Sequence, residues 1–263
     1  MRLLLLLLGL APLSLAAQPL TTDRPDFTES PSAVAPGRIQ IEAGTTLQSF
    51  GGLGDDLFAD FTELTLPEAL VRIGVTPGVE ARVQVPDYVR TDLTGRDIAA
   101  DGFTDPSVGL KVEVGTFAGA DVGAIVSTSV PVSDEIFGDG DALGGERFVP
   151  SVIVTGSADL TPTVSVGAQI QSEFFGEGNA DFGGDATIGG TLVVGLAINE
   201  QTGAFAELVL EDVIGGIVNP YALVHTGATL LLTPDAQLDA HAGIGLAGYA
   251  PDYLIGVGAS VRI

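Results

Sequence analysis

Between residues 39 and 263 apolar and polar side chains alternate with a period of two in twelve separate runs, at about 39–50, 62–74, 79–88, 105–116, 121–132, 148–159, 163–174, 185–199, 202–211, 219–232, 236–246 and 253–263. Period two sends successive side chains to opposite faces of a β-strand. In the first run Ile39, Ile41, Ala43, Thr45 and Leu47 share one face, and Gln40, Glu42, Gly44, Thr46 and Gln48 share the other. The fourth run sets Val108, Leu110, Val112 and Val114 against Gly109, Lys111, Glu113 and Gly115. Most runs are close to the length that a tilted membrane strand needs. Helical periodicity is not evident after residue 17, and 36 Gly and 15 Pro argue against long helices.

The connections come in two kinds. Val75-Thr76-Pro77, Leu160-Thr161-Pro162 and Leu232-Thr233-Pro234 each separate two runs by a minimal turn. Pro pre-sets φ for the first central position of a tight turn, and the Thr before it is pushed to an extended conformation. The other connections, at 51–60, 87–105, 133–147, 174–185, 211–218 and 247–252, are read as long loops. They hold more than half of the 34 acidic residues but only Arg90, Arg96 and Arg147 among the cations. Short and long connections in alternation predict an all-β, up-and-down antiparallel transmembrane β-barrel of about twelve strands. Long acidic loops mark one end and short turns the other. A soluble sandwich also alternates. The even strand count, the unlike ends, and small residues on the polar faces favour the barrel. Phe50, Phe61, Tyr88, Phe103, Phe148, Phe174, Tyr221 and Tyr253 sit where strands meet long loops and are read as half of an aromatic girdle. Phe117 and Phe205 mark the other rim.

Residues 1–17 carry one cation, six consecutive leucines and a small-residue site near Ala16, which spells a cleaved signal peptide. Residues 18–38 are then an N-terminal periplasmic or plug segment, and 39–263 the outer-membrane barrel with both termini periplasmic. Hydrophobic residues make up 46% of the chain and mean hydropathy is +0.42, apolar surface that a lipid-facing wall accommodates. The net charge of −24 excludes nucleic acid as a partner. Expected partners are outer-membrane lipid and lipopolysaccharide, the barrel assembly machinery, a small-molecule solute, and divalent cations loosely bound at acidic loops.

The opening Thr22-Asp23-Arg24-Pro25-Asp26-Phe27-Thr28-Glu29-Ser30-Pro31 resembles that of the bacterial outer-membrane "transporter" family labelled "putative meta-pathway of phenol degradation". The likeness continues through Leu70-Val71-Arg72-Ile73-Gly74, Asp105-Pro106-Ser107-Val108-Gly109-Leu110-Lys111 and Gln237-Leu238-Asp239-Ala240-His241. It implies an outer-membrane barrel that aids uptake of hydrophobic substrates. The chain departs from the family pattern in ending at Ile263, in lacking Trp and in its acidity.

The charged residues on polar faces are Glu42, Arg72, Glu80, Arg82, Lys111, Glu113, Glu207, Asp239, His241 and Arg262. Charges confined in a barrel must be paired or hydrated. The set reads as an ion network across the lumen or as a lining that selects solutes. Asp23, Arg24, Asp26, Phe27 and Glu29 form the expected plug, with Arg24 pairing lumenal carboxylates. No catalytic site, metal or cofactor is expected. Asp239 and His241 share a face and suggest an acid-oriented imidazole, yet a hydrogen-bonded lumenal His is the simpler reading. The acidic loop from Asp139 to Glu146 lacks EF-hand spacing. The expected function is passive diffusion of small solutes, hydrophobic or aromatic ones among them. The alternatives are a closed structural barrel acting through its acidic loops, and a barrel-embedded hydrolase using His241 or His225.

Overall fold

A computed structural model describes residues 20–51, 60–94, 99–133, 147–175, 186–214 and 221–263. The expected signal peptide and the 139–146 loop lie outside the described residues. The alternating runs form β1 (Ile39–Phe50), β2 (Phe61–Leu66), β3 (Leu70–Thr76), β4 (Val79–Gln84), β5 (Tyr88–Leu93), β6 (Ala99–Phe103), β7 (Ser107–Phe117) and β8 (Ala120–Ser129). They continue as β9 (Pro150–Thr161), β10 (Val164–Phe174), β11 (Ala186–Ala197), β12 (Thr202–Ile214), β13 (Tyr221–Thr233), β14 (Ala236–Ala247) and β15 (Tyr253–Arg262). Neighbours pair antiparallel, and β15 returns to β1 from Gln40↔Arg262 to Ser49↔Tyr253, so the sheet closes on itself.

Three pairs of segments are halves of single strands: β2 with β3, β4 with β5, and β6 with β7. The barrel therefore has twelve strands. Each break contains a proline, Pro67, Pro86 or Pro106, which cannot donate to the ladder. Backbone bonds bridge the gaps, from Val85 N–H to Ala69 O (2.8 Å), Thr104 N–H to Asp87 O (2.8 Å) and Val130 N–H to Pro106 O (2.9 Å). The stretch at 87–105, expected as a loop, instead holds the β5–β6 hairpin, and β5 also pairs with β2. Its polar, acidic character hid strands that stand beyond the apolar band.

The pattern of burial is that of a globular protein turned outward. Leu192, Ile244 and Ile170 are more than 60% exposed on the outer wall, whereas Gln40, Glu42, Arg72, Glu80 and Lys111 are buried inside. At about 3.3 Å per residue and a tilt near 40°, twelve-residue strands make a wall about 30 Å tall. The three Thr-Pro sites are tight turns at one end. In the first, Pro77 is followed by Gly78 at φ 71°, the conformation that the third residue of a type II turn requires. At this same end Arg38 and Arg262 flank Asp235, at 3.0 and 2.8 Å, beside backbone bonds that join Ile39 to Ile263. These contacts staple the seam where the first and last strands meet.

Candidate functional site

Residues 20–38 lie inside the barrel with no strand partner of their own. An unpaired backbone amide buried away from water is costly, so each needs an acceptor. The wall supplies six of them from side chains, while Ser30 N–H donates to Asp23 and Ser32 N–H to Ser30 within the segment. The N–H groups of Asp23 and Arg24 donate to Glu42 Oε2 (2.9 and 3.0 Å), and that of Phe27 to Glu207 Oε2 (2.9 Å). Glu29 N–H donates to Gln169 (2.7 Å), Ala33 N–H to Glu113 (2.8 Å) and Val34 N–H to Glu80 (2.7 Å). In return Arg72 donates to the carbonyls of Thr21 (3.1 Å) and Ser32 (2.9 Å), and Thr155 to that of Glu29.

Charge pairing runs through the same groups. Arg72 binds Glu42 (2.9 Å), Glu80 (2.8 Å) and Asp23 (3.2 Å). Arg82 grips both oxygens of Glu29 at 2.9 Å and also reaches Asp23 and Glu80. Lys111 binds Asp23 at 2.7 Å and Glu29 at 3.4 Å. Four carboxylates and three cations thus form one network, with Asp23 and Glu29 from the segment and the rest from β1, β3, β4 and β7. Arg24 leaves this network to bind Glu68 (3.0 Å) and Asp239 (3.4 Å).

Close approach is made possible by glycines that face inward. A Cβ built at Gly44 would stand 2.1 Å from Arg24 Nη2, and one at Gly258, its cross-strand partner, 2.6 Å from Arg24 Nε. The guanidinium therefore lies on a side-chain-free patch of the β1–β15 seam. Gly74 and Gly123 leave similar room for the backbone at Ala35 and Pro31, where added Cβ atoms would meet carbonyl oxygens at 2.0 and 2.7 Å.

Of the wall residues expected to form one lumenal set, Glu42, Arg72, Glu80, Arg82 and Lys111 come together. Three are placed differently. Glu113 is exposed and pairs with no cation among the described residues; its carboxylate serves Ala33 N–H near the Thr-Pro end. Arg262 is buried but belongs to the Asp235 staple at the rim. His241 is not oriented by Asp239, which is taken by Arg24. Its Nδ1 meets His225 Nε2 at 2.9 Å, and it is His225 that meets a carboxylate, Glu207, at 3.1 Å. Phe27 and Phe205 edge onto the His225 ring at 4.9 and 5.1 Å. Phe205 therefore points into the lumen rather than marking a rim. Tyr221 likewise turns inward, onto the apolar cluster of Val209, Leu223 and Leu254. Phe50–Phe61 and Tyr88–Phe103 do pair at the long-loop end, at 4.5 and 5.4 Å. Gln40, Glu68 and Gln169 were missed. Gln40 and Gln169 carried a signal as polar residues on buried faces; Glu68 sits in a proline break with no alternation to place it.

Two cavities flank the segment. One, about 310 Å³, opens toward the long-loop end and is lined by Thr46, Gln48, Leu70 and His241 among others. The other, about 170 Å³, lies toward the Thr-Pro turns beside Ser157, Ser165 and Phe205.

The model of a family described as "Putative MetA-pathway of phenol degradation" matches residues 22–263. Among solved structures the chain is similar to an outer-membrane channel of Pseudomonas putida F1, with TM-score 0.67 and 13% identity over 89% of this chain and 98% of that one. It is also similar to the NanC porin, with TM-score 0.52 and 13% identity over 86% of this chain and 100% of that one. The KdgM porin gives 0.52 and 10% over 84% and 98%. No curated protein matches the sequence.

Proposed function

Since the chain belongs to the family described as "Putative MetA-pathway of phenol degradation", we propose that it is an outer-membrane channel for small solutes, hydrophobic or aromatic ones among them, which cross by passive diffusion past an N-terminal plug. The observation that carries this reading is a closed barrel whose interior is occupied by residues 20–38 and held there by wall carboxylates. Its likeness to an outer-membrane channel and to porins supports it. An apolar outer wall fits the outer membrane, with export through a cleaved leader. Both barrel termini face the periplasm and the acidic loops face outward, where divalent cations bridge them to lipopolysaccharide. The burial of His225 beneath Phe27 and Phe205 supports a packing role for the histidines rather than a hydrolytic one.

The test is deletion of residues 21–31, with single-channel conductance measured in planar bilayers. A several-fold rise is expected, because the segment fills the lumen that the deletion opens. Unchanged conductance would reject the plug. The filled lumen also favours a second reading, a sealed barrel acting through its acidic loops, and liposome swelling by the intact chain decides between them: a sealed barrel admits no solute.

A further inference from the structure

The ends of one loop in the segment are clasped together. Asp23 and Glu29 bind the same two cations, Arg82 and Lys111, and Ser30 N–H donates to Asp23 at 3.0 Å. Residues 24–28 run out from this clasp and return to it. A short loop with closed ends can move as a unit about its base. Its two parts are held by opposite sides of the barrel. The clasp belongs to β1, β3, β4 and β7, where Arg72 and Arg82 also bind Glu42 and Glu80, and Arg24 lies beside it on the β1–β15 seam. Residues 25–28 reach across to β10, β11, β12 and β13. Phe27 N–H and the Thr28 hydroxyl donate to Glu207 (2.9 and 2.5 Å), and Thr28 also meets Thr191 (2.5 Å). Gln169 donates to Phe27 O (3.2 Å), and the Phe27 ring edges onto His225. Glu29, where the loop ends, touches both sides, since its backbone also bonds Gln169 and Thr155. The loop is thus a bar across the lumen, fixed by ion pairs at one end. At the other, Glu207 is the one wall carboxylate that residues 25–28 touch among the described residues.

The bar also borders both free spaces. Pro25 and Phe27 line the cavity toward the long loops, Thr28 the one toward the turns, and Asp26 both. We infer that residues 25–28 are a lid within the plug, hinged at the Asp23–Glu29 clasp and latched on Glu207. Solute passes when the lid swings off β10–β13 while the rest of the segment stays on the wall. The inference rests on the channel reading above and adds how the path opens. Arg82 and Lys111 are each shared by Asp23 and Glu29, so releasing the base would orphan several buried charges in one step. Releasing the lid breaks hydrogen bonds around a single carboxylate, whose other partner, His225, stays in place. The lid is therefore the part that moves at the lower free energy.

The experiment uses the full-length chain in planar bilayers. It has no cysteine, so introduced thiols report without background. The hydroxyl oxygens of Thr28 and Thr191 stand 2.5 Å apart, close enough for sulfurs in their places to bond. In Thr28→Cys/Thr191→Cys, conductance should fall several-fold on oxidation with oxidised glutathione and return with dithiothreitol, mass spectrometry confirming the disulfide. Two single variants ask what stays behind. Thr28 and Ala33 are alike in burial, 6% and 5% exposed. Thr28→Cys should react with a small charged thiol reagent several-fold faster than Ala33→Cys, and these rates decide alone where the disulfide does not form. Heat-modifiable migration checks that each variant is folded. A formed disulfide that leaves conductance unchanged overturns the lid. So does an Ala33→Cys that reacts as fast as Thr28→Cys, because the whole segment then leaves the wall. Both outcomes leave the channel standing. An absence of conductance in the wild type overturns the channel reading and the lid with it.

Discussion

Arg24 shows how one side chain is fitted to the wall. Its guanidinium lies on the Gly44–Gly258 pair and bridges Glu68 to Asp239, joining the proline break after β2 to β14 through the segment. Gly44→Ala should displace only the end of a flexible side chain, so the barrel folds and conductance rises modestly. Gly74→Ala places its methyl 2.0 Å from the carbonyl oxygen of Ala35, which is backbone and cannot swing aside. It should raise conductance more than Gly44→Ala does, and equal effects in planar bilayers would show that the fit at Gly74 is not needed to hold the segment. Arg72 is the network's centre, buried and paired with three carboxylates. Arg72→Met leaves those carboxylates without their main partner, a loss of about 3–5 kcal/mol for a buried pair, read as a lower denaturant midpoint in micelles. Such residues were legible because period two assigns each position a face. That Arg24 pairs a lumenal carboxylate was legible too, but that the carboxylate is Asp239, and that His241 meets His225, depend on strand register and the path of residues 20–38.

At the level of elements, the tight turns and the closing seam were readable from Thr-Pro and from alternation, but the bends were not. Pro67, Pro86 and Pro106 fall in three successive strands, and each ends a ladder that resumes as β2, β5 or β6. The outward apolar positions change from even ones, Leu64 and Leu66, to odd ones, Ile73 and Val75, across the first break, a change of phase hidden when 62–74 read as one strand. Beyond the breaks the segments are short and acidic, and neither face is apolar enough to signal a strand. At the opposite end the seam depends on Asp235, whose carboxyl is held below its ordinary value of 3.8, chiefly by the hydrogen bond from Arg262 and with help from Arg38. A depressed carboxylate contributes stability that is fully present above the unfolded value and is lost as pH falls through the folded one. Amide protection of Ile39 and Ile263 should therefore hold from neutral pH down to the neighbourhood of 3.8 and be lost below it, as pH falls through the folded value. In Asp235→Asn the protection should be weaker at neutral pH and nearly independent of acidification. Hydrogen exchange in micelles checks this, and a wild-type loss that starts well above 3.8 would place the staple's importance elsewhere.

For the molecule as a whole, two sources of cohesion can be separated. The barrel wall is a closed ring of antiparallel ladders, from β1 round to β15, and its backbone bonds do not depend on what fills the lumen. The lumen instead couples a loose segment to the wall through charge. Removing residues 21–31 takes Asp23 and Glu29 from Arg82 and Lys111 and Arg24 from Glu68 and Asp239, which in a dry interior would be prohibitive. Here the deletion also admits water to the space it vacates, and water solvates the orphaned charges. The deleted barrel should therefore still insert and fold, with a lower unfolding midpoint, while Arg72→Met in the intact chain leaves its carboxylates confined around the filled lumen. Per charge removed, the point substitution should destabilise more than the deletion. Denaturant titration of both in the same micelles compares them directly. If the deletion prevents folding altogether, the segment is part of the barrel's structural core, and its occupancy of the lumen would be a condition of folding rather than a barrier to solutes.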